Sequence, residues 1–220
     1  FAMTHYSAEH IRSLVEPHRV HRDVYIDPRI FDLEMERIWG RAWIYVGHES
    51  QVPNPGDYYA TTIGREPVVM TRGRDGKVHV IYNRCGHKGA KVLSEGCGHA
   101  KGFRCPYHGW TYNLDGTLQG VPAKAGYDGT GFDMKDPQFH MQKVAQADSY
   151  RGFVFACLSP DTVDLKTFLG DAAATLDNMA DRSPEGEVEV AGGPLRYVHD
   201  NNWKMFVENL NDAMHPMVAH

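Results

Sequence analysis

Two short stretches decide how this chain reads: Cys85-Gly86-His87 and Cys105-Pro106-Tyr107-His108-Gly109-Trp110. Each supplies one cysteine and one histidine, and residues 88–104 lie between them. Either half alone says little. With four cysteines and thirteen histidines in 220 residues, a chance Cys-x-His is unsurprising, and Cys97-Gly98-His99 is a second example. Residues 88–104 give the chain room to leave one hairpin tip and return to a facing one. Residues 100–104, between His99 and Cys105, do not. Cys97 and His99 therefore read as a glycine-flanked surface turn, and Cys97 and Cys157 as free thiols.

Around these stretches the sequence reads as short strands. Ala42–Val46, Tyr58–Ile63, Pro67–Thr71 and Lys77–Tyr82 are separated by turn signals such as Asn54-Pro55-Gly56 and Arg74-Asp75-Gly76. Leu114-Asp115-Gly116-Thr117 marks another hairpin, and Tyr150–Leu158 reads as a final apolar strand. The expected organisation has three parts: a helical segment over residues 1–40, an antiparallel β domain over 41–160, and the opening of a second domain over 161–220. In the first part, Asp27-Pro28 reads as an N-cap with proline at the first helical position, and Gly40 closes that helix. In the third, a helix is expected from Asp164 to Met179, strands near Glu187–Val190 and Leu195–His199, and a helix from Trp203 to Met214. The fold class is α+β.

Composition sets the bounds. Apolar residues are 42% and charged residues 23%, ordinary for a globular chain. A net charge of −5 gives no footprint for nucleic acid or an anionic membrane. No apolar run approaches the ~20 residues of a membrane span, and residues 4–12 are too polar for a signal peptide. Phe1-Ala2-Met3 reads as an addition ahead of a native Met3. Few cysteines, two of them beside histidines, point to metal in a reducing, cytoplasmic compartment.

A Cys₂His₂ set suits a structural zinc or a 2Fe–2S cluster with two thiolates on one iron and two imidazoles on the other. The cluster fits better. The Cys-x-His half-site is tighter than usual zinc spacing and mixes ligand types, and the second loop carries turn residues and an aromatic suited to shielding a cluster from water. In these residues the sequence resembles the Rieske family, with Cys85, His87, Cys105 and His108 as ligands. Rieske proteins of respiratory complexes add a cysteine to each loop and place a serine after the second. Here those positions hold Ala90, Tyr107 and Trp110. The resemblance thus implies no bridging disulfide, one fewer hydrogen bond to sulfur and a low-potential cluster, with Tyr112 left to supply one bond.

The chain's last stretch, Asn202-Trp203-Lys204 through Glu208-Asn209 to Asp212-x₂-His215-x₄-His220, carries a second pattern. Glu208, Asp212 and His215 fall at i, i+4 and i+7, one face of a helix. His220 lies about 140° from His215 on an ideal helix, so both reach one metal only if the helix breaks, and Pro216 supplies a break. Alone, this reads first as an ordinary amphipathic helix end with two incidental histidines.

Beside the Cys/His loops, the stretch resembles the mononuclear iron motif of Rieske non-haem iron ring-hydroxylating oxygenases, large (alpha) subunit. Tyr25 to Tyr59 and Ser149-Tyr150-Arg151-Gly152-Phe153 look like the benzoate and terephthalate dioxygenase group. Lys88 departs from the family's arginine. The resemblance implies a helix-grip (START-like) catalytic domain after the Rieske domain. His215 and His220 would be Fe(II) ligands, a later aspartate the third, and O₂ the cosubstrate. Asp212 would bridge a cluster histidine of one subunit to an iron-bound histidine of the next, and Asn209 would lie near the iron. The expected partners are a reductase or ferredoxin drawing on NAD(P)H, an aromatic substrate, and a homotrimer or a trimer with small beta subunits. Family subunits are about twice as long, so the chain reads as a fragment. The alternatives are a Rieske-type electron carrier, which needs no Asp-x₂-His-x₄-His, and a zinc-binding interaction protein.

Overall fold

A computed structural model of the protein describes residues 6–94 and 96–219. Close contacts gather the chain into two units, one running to Ile38 and resuming at Pro194, the other spanning Trp39–Gly193. The boundary expected at residue 160 is therefore not where contacts divide the chain.

The N-terminal part is less helical than its composition suggests. Helix α1 (Ala8–Ser13) is capped by Ser7 and followed by a small hairpin of β1 (Val15–Glu16) and β2 (Arg19–Val20). Pro17 explains the interruption, since it lacks the N–H and fixes a turn-forming φ. Helices α2 (Asp23–Ile26) and α3 (Pro28–Glu34) follow, the latter widening into a π-helical turn over Met35–Trp39 before Gly40. Asp27 caps α3 as expected, accepting from the Arg29 backbone N–H at 2.8 Å with Pro28 at the first position. The Arg29 guanidinium and the Tyr6 hydroxyl also bond that carboxylate and hold its pKa well below the usual range.

The second unit is the antiparallel β body. Strands β3 (Ile44–His48), β4 (Asp57–Ile63), β5 (Glu66–Arg72), β6 (Val78–Tyr82) and β7 (Gly96–His99) come first. Strands β8 (Phe103–Arg104), β9 (Thr111–Tyr112), β10 (Leu118–Gly120), β11 (Gln146–Tyr150) and β12 (Phe153–Cys157) complete it. The sheet ordered β6-β5-β4-β7 is sandwiched. Val68, Met70 and Val80 pack with Val46 and Val154 of the β11-β12-β3 sheet. Their neighbours Val69 and Ile81 pack with Phe103, Tyr112 and Leu118 of the β10-β9-β8 sheet. Alternate residues point to opposite faces, so burial on both faces explains the unbroken apolar run Val68-Val69-Met70.

Several local expectations are corrected. Cys97-Gly98-His99 is not a surface turn: it is the edge strand β7, paired with Asp57–Ala60 of β4. Gly98 lets it lie against Tyr58, where an added Cβ would come within 2.6 Å of the hydroxyl, and His99 Nδ1 meets Asp57 Oδ1 at 2.8 Å. Tyr150–Leu158 is not one strand, because Arg151 and Gly152 adopt φ of 53° and 84° and turn β11 into β12. The helix expected over 164–179 is split at Gly170 into α4 (Leu165–Leu169) and α5 (Ala173–Asp181). Side chains tie this segment to the β body: Trp43 Nε1 donates to the Val163 carbonyl at 2.7 Å, Tyr150 donates to Asp177 and Arg151 pairs with Asp181. No strand forms at 187–190 or 195–199, and Leu195 and Val198 are 83% and 95% exposed. Alternation alone cannot make a strand without a neighbour to bond. The chain then forms α6 (Trp203–Asn211) and α7 (Met214–Ala219). Among the described residues, no helix is long and apolar enough to cross a membrane.

Asn83, at the end of β6, joins the sheet to the first Cys/His loop. It is 1% exposed; its amide donates to the Leu93 carbonyl at 2.8 Å and its oxygen accepts from the Val92 and Leu93 N–H groups at 3.1 and 2.9 Å. Replacing Asn83 with Ala leaves three polar groups without partners and is expected to cost about 3 kcal/mol. Urea unfolding of N83A against the parent chain checks this; a loss below about 1 kcal/mol would mean water replaces the amide.

Candidate metal centre

The structure brings Cys85, His87, Cys105 and His108 together on two loops closed by the same hydrogen bonds. The Cys85 N–H donates to the Ala90 carbonyl at 2.9 Å and the Gly89 N–H returns to the Cys85 carbonyl at 2.9 Å. In the second loop, the Cys105 N–H donates to Trp110 O at 2.8 Å and the Gly109 N–H to Cys105 O at 3.0 Å. Gly89 and Gly109 take matching left-handed φ values of 71° and 73°. The two cysteine loops are therefore copies of one turn, hung from the ends of β6 and β8.

The donors are graded from inside to outside. Cys85 and Cys105 are 4% and 2% exposed within the cluster of Phe103, Trp110 and Tyr112. His87 is half-buried and His108 exposed, with ring centroids 4.8 Å apart. The His87 ring stacks on Trp110 at 4.7 Å and 6°. Trp110 in turn meets Phe132 and Phe139, which face each other at 4.8 Å. This aromatic cover extends well beyond the single tryptophan anticipated. Gly86 permits it: a Cβ there would lie 2.4 Å from the Phe139 carbonyl oxygen.

Two features fit a metal cluster. His87 Nδ1 is buried without a hydrogen-bond partner, a lone pair or N–H removed from water at a cost unless something binds it. Burial, then the neighbouring His108 and Lys88, lowers the pKa of His87 below the ordinary imidazole range, which favours the neutral, ligating form. The Tyr112 hydroxyl lies 3.0 Å from Cys85 Sγ and accepts from the Gly86 N–H at 3.1 Å, giving the bond to sulfur expected of it. Burial and the Cys85 thiol raise its pKa, so it remains a protonated donor. Among the described residues no three His, Cys, Asp or Glu side chains gather as one ion would require. A two-iron cluster asks for less, two protein donors per iron.

The second candidate set lies in the other unit. The expected single helix through Glu208, Asp212 and His215 is corrected: α6 ends before Asp212, which has extended backbone at φ −84°, ψ 91°. Asp212 Oδ1 then accepts from the first N–H groups of α7, those of Met214 and His215, each at 3.1 Å. The break comes at Asp212 rather than at Pro216, which sits in the first turn of α7 where a missing N–H costs nothing. Asn209 is in the last turn of α6, and its carbonyl accepts from the Asp212 N–H at 3.3 Å. His220 lies outside the described residues. Sequence reasoning missed Asn83, although a polar residue ending the run Val78–Tyr82 was a usable signal. It also missed Glu34, which is buried at 8% exposure.

Comparison with known proteins agrees with this geometry. The profile of the Rieske [2Fe-2S] domain matches residues 42–144. Toluate 1,2-dioxygenase subunit alpha of Pseudomonas putida is 41% identical over 98% of this chain and 49% of its own. The anthranilate 1,2-dioxygenase large subunit of Acinetobacter baylyi is 40% identical over 92% of this chain and 42% of its own. A crystal structure of naphthalene 1,2-dioxygenase from Rhodococcus sp. bound to indole superposes with a TM-score of 0.82 at 38% identity, covering 90% of this chain and 45% of that one. The chain spans about half the length of the curated relatives it matches. The duplicated cysteine loops, their buried thiols and these likenesses identify a Rieske [2Fe-2S] domain, in a chain similar along its length to about half of several ring-hydroxylating dioxygenase alpha subunits.

Proposed function

We propose that this chain is the cluster-bearing part of the oxygenase component of an aromatic ring-hydroxylating dioxygenase acting on a carboxylated aromatic. The observation that supports the reading is the presence in one chain of two groupings: the Cys85/Cys105 pair with the His87/His108 edge, and the Asp212–His215 junction of α6 and α7. An electron carrier would need only the first. Toluate and anthranilate, in the names of two relatives, are aromatic carboxylates, which supports that substrate class.

When bound, the 2Fe–2S cluster supplies one-electron transfer and the mononuclear Fe(II) supplies dioxygen activation. Cys85 and Cys105 would hold one cluster iron as thiolates, and His87 and His108 the other through their imidazoles. Trp110, Phe132 and Phe139 exclude water from the buried side, while the exposed ring of His108 offers the short way out of the protein. His215 and His220 would hold Fe(II), with the third carboxylate supplied from the remainder of the subunit. Asp212 commits Oδ1 to the backbone of α7; its second oxygen would orient the His215 imidazole and meet His108 of a neighbouring subunit. Asn209 would sit beside that contact. This arrangement implies a ring of subunits, a homotrimer or a trimer with small beta subunits. Electrons would come from a reductase or ferredoxin fed by NAD(P)H in the cytoplasm. Residues 161–220 would open the helix-grip catalytic domain.

Anaerobic reconstitution of the 220-residue chain is expected to yield iron and acid-labile sulfide in equal amounts, with a reduced-state EPR spectrum of mixed thiolate and imidazole ligation. Zinc bound without sulfide would sink the reading. Removing the Tyr112 hydroxyl should lower the reduction potential, because a donor to sulfur favours the more negative, reduced form. A bond worth about 1 kcal/mol more in that form corresponds to about 40 mV, measurable by redox titration of Tyr112→Phe. In the full-length oxygenase, Asp212→Asn should reduce substrate-dependent oxygen uptake by about 10–100-fold while the reduced-cluster EPR signal stays unchanged. Uptake at the parent rate would remove Asp212 from the electron path.

A further inference from the structure

The N-terminal segment makes a set of polar contacts with α6 that the oxygenase reading does not use. Glu34, at the end of α3, is 8% exposed, an unusual place for a carboxylate unless it is paired. Its Oε2 accepts from the Trp203 indole N–H at 2.9 Å, and its Oε1 pairs with the Lys204 ammonium. Tyr25 adds two contacts at different heights on the same helix. Its carbonyl accepts from the Asn202 amide at 3.1 Å, and its hydroxyl donates to Glu208 Oε1 at 2.7 Å. The Glu208 bond raises the Tyr25 pKa above its ordinary value and keeps the hydroxyl a donor. Asn202 itself caps α6, accepting from the Lys204 N–H at 3.1 Å. Both the first turn of α6 and the turn after it are thus fastened to residues 25 and 34.

What hangs from the other end of α6 gives these contacts a purpose. The helix ends at Asn211, and Asp212 immediately fixes the start of α7 through the Met214 and His215 N–H groups. A tilt of α6 moves Asp212, and Asp212 carries His215 with it. Leu210, Met214 and Met217 are exposed, and Phe206, half-exposed, meets the His199 ring at 6.3 Å. The polar contacts of Glu34 and Tyr25 are the ones that reach α6 from the N-terminal segment at two heights.

We propose that Glu34 and Tyr25 are positioning residues for the mononuclear iron site: the N-terminal segment braces α6 and, through the Asp212 junction, fixes where His215 presents its imidazole. The inference rests on the reading of Asp212 and His215 as parts of that site.

The test uses the full-length oxygenase carrying Glu34→Gln or Tyr25→Phe. Glu34→Gln keeps an acceptor for Trp203 but removes the charge facing Lys204. Tyr25→Phe removes only one hydroxyl, so it folds even if the first variant does not. Three quantities are read: the rate at which a ferrous chelator strips mononuclear iron, backbone amide exchange over residues 203–219, and the EPR spectrum of the reduced cluster. Each variant is expected to lose mononuclear iron about tenfold faster than the parent, the usual size of an effect on an orienting partner of a metal ligand. Exchange over 203–219 should rise, and the cluster spectrum should not change. Iron retention and exchange equal to the parent in both variants would overturn the brace. If the parent holds a cluster but no mononuclear iron, the oxygenase reading fails instead. The brace is then decided by exchange alone, supported if 203–219 opens in both variants and overturned if it does not.

Discussion

Burying two thiols in one apolar core is the constraint on which the rest of this structure depends. Cys85 and Cys105 sit among Phe103, Trp110, Tyr112 and Leu118, where a lone thiolate would be costly and a metal-bound one is stabilised. To bring them there, the chain builds one turn twice and hangs both copies from strands of adjoining sheets. Asn83 pins the loop after the first copy, and Trp110 closes the second by accepting the Cys105 N–H. The doubly covered β5 and β6 provide the backing. The donors then run outward from sulfur to imidazole, so that the polar side of the site meets the surface at His108.

Much of this is legible in the sequence. The spacing from His87 to Cys105 separated the two matching Cys/His loops from Cys97-Gly98-His99, because two facing tips need a return path of a certain length. The strands of the central sheet were marked by β-branched runs and turn residues, and the Asp27-Pro28 cap was found where it was expected. Local signals failed where a tertiary contact overrules them. Gly96-Cys97-Gly98-His99 resembles a turn by composition, yet the smallness of Gly98 lets it pair beside Tyr58. Arg151-Gly152 hid a hairpin inside an apolar run. The strands expected at 187–190 and 195–199 had the right alternation, yet among the described residues they pair with no strand, and Val190 donates its N–H to the Ser50 hydroxyl instead.

The second candidate centre was legible in residue types and not in shape. A helical wheel put Glu208, Asp212 and His215 on one face; in the structure Asp212 ends one helix and starts the next. Asp and Asn compete with helical hydrogen bonds by bonding nearby backbone, which is why the break falls on Asp212 and not on Pro216. The buried Glu34 was hidden for a different reason. Its partners, Trp203 and Lys204, are about 170 residues away in sequence, and no local pattern announces a pairing of that range.

The repeated turn has a consequence for the speed of redox chemistry. A centre that gains or loses an electron must relax its surroundings, and every atom that shifts adds to the barrier. Both cysteine loops are closed on themselves by paired backbone hydrogen bonds, packed with aromatic rings and backed by buried strands. Such a cradle has few soft coordinates. A cluster held there would need little rearrangement on its sulfur side, because the dipoles around the sulfurs are already oriented and do not wait for the charge to arrive.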